Sequence, residues 1–376
     1  MTQQWIPAVF MRGGTSKGVF FREDALPAPG PDRDALYLSV MGSPDPYGRQ
    51  LDGMGGGVSS LSKVVSVRPS DRPDADVEYT FSQVSVGTAV VDHSTNCGNL
   101  SSAVAPFALD EGLLGAVDDG PLEVRIFNTN TGALLRAALE VRGGMAAVDG
   151  DLAIPGVAGT GSPIRLDYLA PGGTKTGRVL PVGAPTTRLR VPAGEFTVSC
   201  VDVSAATVFV DAAQLGLAGS ETPTQLAADS TTLGVLEQLR RAGAVAMGLA
   251  TDVADVPPAG PKIAVVAAPA DYRTISGDEV TGASYDLSAR MISMEQPHGA
   301  IPGTGALCLA AAVQIPGTLP NLVGSAGVGA TAIGTPSGVL SVTAEVTSGD
   351  GEPQVASASL FRTARTLMRG SVAVRG

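Results

Sequence analysis

The chain carries one pattern twice, and that repetition limits its folds more than any other feature. VFMRGGTSKGVFFREDAL at 9–26 and SCVDVSAATVFVDAAQL at 199–215 share a strand, a turn of small residues, a Val-Phe strand and a polar run closed by leucine. His93 precedes Cys97-Gly98-Asn99 by four residues, and His298 precedes Gly303-Thr304-Gly305 by five; each triplet opens an alanine-rich apolar stretch. Both pairs lie close to half of the 376 residues apart, so two copies of one fold explain them better than isolated matches. A core rarely grows past about 250–300 residues before a chain splits into domains. The reading is an N-terminal domain over 1–183 and a C-terminal one over 184–376, with a final strand at about 370–376 returning to the first.

Charge narrows the partners. The formal net charge is -11 and no long basic run is present, which argues against nucleic acid and acidic membrane surfaces. An anionic ligand must therefore find local positive charge. No apolar stretch approaches twenty residues, and Cys97, Cys200 and Cys308 are widely spaced, so a membrane span is not expected and a reducing cytoplasm is. Only four of the 25 basic residues are lysines, Lys17, Lys63, Lys175 and Lys262. In a chain that writes positive charge as arginine, a lysine draws notice, because a desolvated amine can release its proton near neutral pH and a guanidinium cannot.

A duplicated domain sets matching surfaces across a pseudo-two-fold axis, a natural place for a cleft. The helix starts at Gly98-Asn99 and at Gly303-Thr304-Gly305 would offer N–H groups and a positive dipole end to carboxylates there. Arg12 and Lys17 in MRGGTSKG add charge, and Gly13 and Gly14 let backbone approach closely. Cys97 at such a helix start suits a reactive thiol and a small buried residue alike. Cys200 and Cys308, in an apolar strand and an apolar helix, read as core. Lys63, at the mouth of a strand after GGGVSSLS, is a desolvated base or a solvated strand end. The two histidines lack neighbouring ligands at zinc spacing, so no metal is expected. GGTSKG and GGTKTG both miss the phosphate-loop pattern, and GxSxG is absent.

MRGGTSKG, MGSPDPYGRQLDGMGG, SKVVSV, the Gln83-Val84 pair, NCGN and DLSARMISMEQPHGAIPGTGA, taken in order, resemble the 2-methylaconitate cis-trans isomerase and 4-oxalomesaconate tautomerase family. The resemblance implies an α+β fold of two similar diaminopimelate epimerase-like domains. Each would be a curved, barrel-like sheet wrapped around a central helix, with the active site in the cleft between them. Parent epimerases place a cysteine before each central helix; Cys97 matches the first, and Pro302 stands at the second, which excludes a two-thiol mechanism. The resemblance makes Lys63 the partner of Cys97 and implies movement of a proton along an allylic system of a small polycarboxylate, without cofactor. It also suggests Thr15, Ser16, Lys17 and His298 as substrate contacts beside Gly98, Asn99, Gly303, Thr304 and Gly305, with Gln83, Asn96, Ser276, Arg290 and Met294 as further ones. Arg290 reads equally as a structural ion-pair residue. The competing reading is a non-catalytic polycarboxylate-binding protein, or an accessory to an iron-sulfur dehydratase. A homodimer is compatible with either.

Overall fold

The computed structural model describes residues 3–325, 329–347 and 351–375. They form two compact units, Met1–Leu166 with Phe361–Gly376, and Asp167–Leu360.

In the first unit, β1 (Gln3–Gly13) turns back into β2 (Ser16–Arg22), and α1 (Pro31–Met41) follows. β3 (Lys63–Pro69) lies parallel to β2 and antiparallel to β4 (Val77–Val84), which pairs with the short β5 (Val91–Asp92). After α2 (Ser101–Asp110), β6 (Gly120–Asn128) runs parallel to β4 and antiparallel to β7 (Leu134–Arg142). The C-terminal strand Ala364–Arg375 pairs with β1 along its length; Gly376, the last residue of the strand expected at about 370–376, lies outside the described residues.

Every residue of α2 from Ser101 to Leu109 is buried, which is why its sequence is apolar all round rather than striped. The sheet wraps it: β1, β3, β6, β7 and the C-terminal strand all contact it.

The second unit repeats this plan. β8 (Gly194–Val203) and β9 (Ala205–Asp211) form the antiparallel hairpin, followed by α3 (Ser230–Ala246). β10 (Lys262–Ala267) is parallel to β9 and antiparallel to β11 (Leu287–Ser293), which pairs with the short β12 (Gln296–Pro297). Then come the buried helix α4 (Gly303–Gln314), β13 (Ala330–Thr335) parallel to β11, and β14 (Gly338–Thr347) antiparallel to β13. Partner for partner and sense for sense, this is the β1–β7 arrangement.

Gly183, the expected boundary, falls inside the second unit. The reason is local: Gly173 donates its N–H to Asp202 O at 2.7 Å and Ser204 donates its N–H to Pro171 O at 2.7 Å, so the segment before Gly183 is stitched to the β8–β9 hairpin.

Candidate functional site

The duplication fixes equivalent positions without reference to side-chain type. Ser101 N–H donates to the Cys97 carbonyl at 3.0 Å, the first helical bond of α2; Ala306 N–H donates to the Pro302 carbonyl at 2.9 Å, the first of α4. Cys97 and Pro302 therefore hold the same place, and Asn99 matches Thr304. Helix α2 proper begins at Ser101, so Cys97 sits at its mouth rather than within its first turn.

Lys63 opens β3, whose Val-Val-Ser-Val run suits a pleated, buried strand. The ladder sets it directly opposite Gln83. Its ammonium nitrogen donates to Gln83 Oε1 at 2.5 Å and lies 5.0 Å from the centre of the Phe81 ring. Only 7% of Lys63 is exposed. That burial drives its pKa down from 10.5, and the neighbouring Cys97 pulls the other way, so the two side chains are coupled. The amide of Gln83 is in turn fixed: its Nε2 donates to Ser62 O at 2.9 Å and to Ser59 O at 3.1 Å, which leaves only the oxygen to face Lys63. Ser62 is held by Gln50 Nε2, which donates to its Oγ at 2.7 Å.

Around Cys97, which is half-buried, the Sγ approaches Ser16 Oγ at 3.9 Å. Ser16 is buried at the start of β2, immediately after the Gly14-Thr15 turn. Asn99 ties that turn to the helix mouth: its Nδ2 donates to Thr15 Oγ1 at 3.0 Å, and its Oδ1 accepts from Arg362 Nε at 3.0 Å. Gly14, at φ +52°, has no alternative there, since a Cβ would stand 2.5 Å from Asn99 Oδ1. Asn96 Oδ1 accepts from Tyr79 Oη at 2.7 Å, which occupies that oxygen structurally. Among the described residues no acceptor meets the N–H groups of Gly98 and Asn99. Lys17, half-buried, places its Nζ 5.6 Å from the centre of the Phe10 ring. The first unit thus brings Lys63, Gln83, Cys97 and Ser16 together, with Thr15 and Asn99 bracing them.

The candidates of the second unit divide. Gly303, Thr304 and Gly305 are buried at the start of α4, where a Cβ on Gly305 would strike the Met291 sulfur. His298, half-buried, accepts at Nδ1 from Ala300 N–H at 3.0 Å, so the neutral ring carries its proton on Nε2. Met294 and Glu295 both adopt positive φ, 53° and 61°, in the tight turn between β11 and β12. Arg290 is anchored by the fold through two of its nitrogens, Nε donating to Glu221 O at 2.7 Å and Nη1 to the carbonyls of Ala289 and Gly334, while its Nη2 is buried without a hydrogen-bond partner among the described residues. Ser276 is exposed in a hairpin loop, with Thr274 and Asp278 as its partners.

Phe81, Ser62 and Arg362 escaped the sequence reading. Phe81 was within reach of it, standing two residues before Gln83 on one face of a strand. Arg362 was not, being 263 residues from the Asn99 it holds.

Twin units of this topology, one of them carrying a buried amine coupled to a thiol at a helix mouth, define a protein of the two-domain epimerase-like class. The chain belongs to the PrpF protein family, whose model matches residues 3–375. It is 42% identical to the 3-methylitaconate isomerase of Eubacterium barkeri, over 99% of this chain and 98% of that protein. It is 36% identical to the 4-oxalomesaconate tautomerase of Pseudomonas putida, over 100% of this chain and 97% of that protein. The solved structure of a methylitaconate-delta-isomerase superposes with a TM-score of 0.80 at 41% identity, covering 100% of this chain and 96% of that one. A hydroxyproline epimerase from Agrobacterium vitis, at 12% identity, TM-score 0.55 and coverage of 98% and 92%, shares the fold. The family resemblance carried by MRGGTSKG and NCGN, and the α+β epimerase-like fold it implied, are borne out.

Proposed function

We propose that the protein is an isomerase of a small unsaturated di- or tricarboxylate, of the kind named for its relatives, moving a proton along an allylic system. The observation that carries this is the buried Lys63 amine, clamped by Gln83 and coupled electrostatically to Cys97. A binding protein has no use for an amine whose charge its surroundings oppose; a base does.

In this reading neutral Lys63 takes a proton from a carbon activated by a conjugated carboxylate or keto group. The electron pair of the broken C–H bond spreads into that group as an extended enolate, and Lys63 becomes an ammonium. A proton then returns at the far end of the allylic system, from Lys63 or from the Cys97 thiol. Return after rotation gives cis-trans isomerisation, and direct return gives 1,3-tautomerisation. The N–H groups of Gly98 and Asn99 face developing negative charge on a carboxylate oxygen. The proposal calls on no cofactor, because amine and thiol supply both proton transfers. It places the protein in the cytoplasm, in keeping with three free cysteines; no helix among the described residues is long and apolar enough to cross a membrane.

The test is incubation with methylaconitate, oxalomesaconate, methylitaconate and aconitate in deuterated water, followed by NMR. Deuterium uptake or a new isomer, lost in Lys63→Ala, is the expected result. Binding without exchange in the wild type overturns catalysis in favour of a carrier or accessory role.

A further inference from the structure

The first unit carries a row of positive charge on the far side of its sheet from Cys97. Arg12 stands directly opposite Lys17 across the β1–β2 hairpin and directly opposite Arg365 on the C-terminal strand. Three like charges thus sit side by side on three neighbouring strands, about 5 Å apart at the backbone. Alternation fixes the face they share. A Cβ on Gly13 would meet Asn99 O and Ala103 Cβ, and one on Gly18 would meet Leu100 Cδ1, so both glycines turn toward the mouth of α2. Arg12 and Lys17, one residue from each, therefore turn the other way, and so does Arg365 beside Arg12. Ser16, two residues from Gly18, keeps the Cys97 side of β2.

Like charges directly opposite one another destabilise a sheet. In a chain with 36 acidic residues against 25 basic ones, a carboxylate is the expected neighbour of each. Elsewhere that is what the arginines have: Arg72 holds Asp74, Arg125 holds Asp76, Arg178 holds Glu352 and Arg273 holds Glu279. Among the described residues no carboxylate lies within ion-pair distance of Arg12, Lys17 or Arg365. Burial lowers the Arg12 pKa and the charge of Arg365 lowers it further, with no acidic group pulling it back. Arg12 is nonetheless fixed in place, its Nη1 donating to Gly14 O at 3.0 Å and to Thr363 O at 2.8 Å. Lys17 Nζ lies 5.6 Å from the centre of the Phe10 ring, and Met368, opposite Phe10 on the C-terminal strand, is 40% exposed. The row therefore borders a small apolar floor on the same face.

We propose that Arg12, Lys17 and Arg365 form a binding site for a small polyanion, a molecule with two or three carboxylate or phosphate groups, on the face of the sheet opposite Cys97. Such a ligand lies across the strands and relieves the repulsion among the three cations. Direction decides against a macromolecular occupant: an acidic peptide laid beside the C-terminal strand would run along it and meet Arg365 alone, whereas the row crosses three strands. The site stands apart from the proposed reaction, which uses Lys63 and Cys97 on the other face.

Calorimetric titration of the full chain with inorganic triphosphate and with tricarballylate, a saturated tricarboxylate, tests the site and tells its two chemistries apart. At least one of them is expected to bind, with a Kd of about 1 mM or tighter that weakens as salt rises. Lys17→Gln and Arg365→Gln should each weaken that binding about fivefold or more, and Arg365→Glu about fiftyfold, while Arg188→Gln, elsewhere on the surface, leaves it unchanged. Tricarballylate also suits the proposed reaction centre, so the component lost in Arg365→Glu is the one that reports on this site. Without ligand, Arg365→Gln should raise the melting temperature at low salt, because it removes like-charge repulsion, and the gain should shrink as salt is added. A response to triphosphate alone assigns phosphate, a response to tricarballylate alone assigns carboxylate, and a response to both assigns a site that reads charge. Failure of both to bind overturns the proposal, as does affinity unchanged in Lys17→Gln and Arg365→Glu. A melting temperature lowered by Arg365→Gln at low salt overturns the uncompensated charge on which it rests.

Discussion

Lys63 and Gln83 face each other across the β3–β4 ladder with the lysine Nζ donating to the amide oxygen at 2.5 Å. Because Gln83 spends its own N–H groups on Ser59 and Ser62, it offers Lys63 an acceptor in either protonation state and adds no charge. Gln83→Glu replaces that neutral acceptor with an anion. A carboxylate so close raises the amine's pKa, because it favours the charged form. Exchange at neutral pH should fall about tenfold or more and recover in part as pH rises; the pH–rate profile checks it.

The same burial makes Lys63 a liability to the fold. Its pKa is lower in the folded chain than the 10.5 of a free lysine, so between those two values the unfolded chain holds a proton that the folded one has released. Stability therefore rises with pH across that window, and the full penalty applies below it. Lys63→Met should raise the melting temperature, and by more at about pH 7 than at about pH 10. Calorimetric scans at the two pH values test the sign.

Of the three thiols, only Cys97 is open to reagent. Cys200 and Cys308 are fully buried, and burial pushes each of their pKa values up to about 12. Iodoacetamide should alkylate the native protein once, at Cys97, and all three sites only after unfolding. Peptide mass spectrometry reads the outcome.

Asn99 links the glycine turn and the helix mouth to the end of the strand Gln354–Arg362 through Thr15 and Arg362. Asn99→Ala strands the buried Arg362 Nε and frees the turn, so a loss of about 1–3 kcal/mol is expected. Gly14→Ala should be at least as damaging, since it combines a positive φ with a clash. Urea unfolding measures both.

The repeat was legible because it is written in the chain twice, as hairpin, Val-Phe strand and triplet before a helix. Its boundary was not: Gly183 looks like a linker glycine, and only the hydrogen bonds of Gly173 and Ser204 assign its segment to the second unit. Lys63 and Cys97 were legible as residue types out of keeping with their neighbours. The role of Gln83 required the strand register, which no local pattern supplies. Arg290, open in the sequence to both a substrate contact and a structural ion pair, needed the fold to show that carbonyls of Glu221, Ala289 and Gly334 hold its Nε and Nη1.

With four lysines in the chain, each side-chain nitrogen can be resolved by 15N NMR, and the signal missing from Lys63→Ala identifies its own. A pH titration then reads the charge of Lys63 directly. The account predicts a midpoint clearly below 10.5, moving upward in Gln83→Glu; a midpoint at or above 10.5 in the wild type would contradict it.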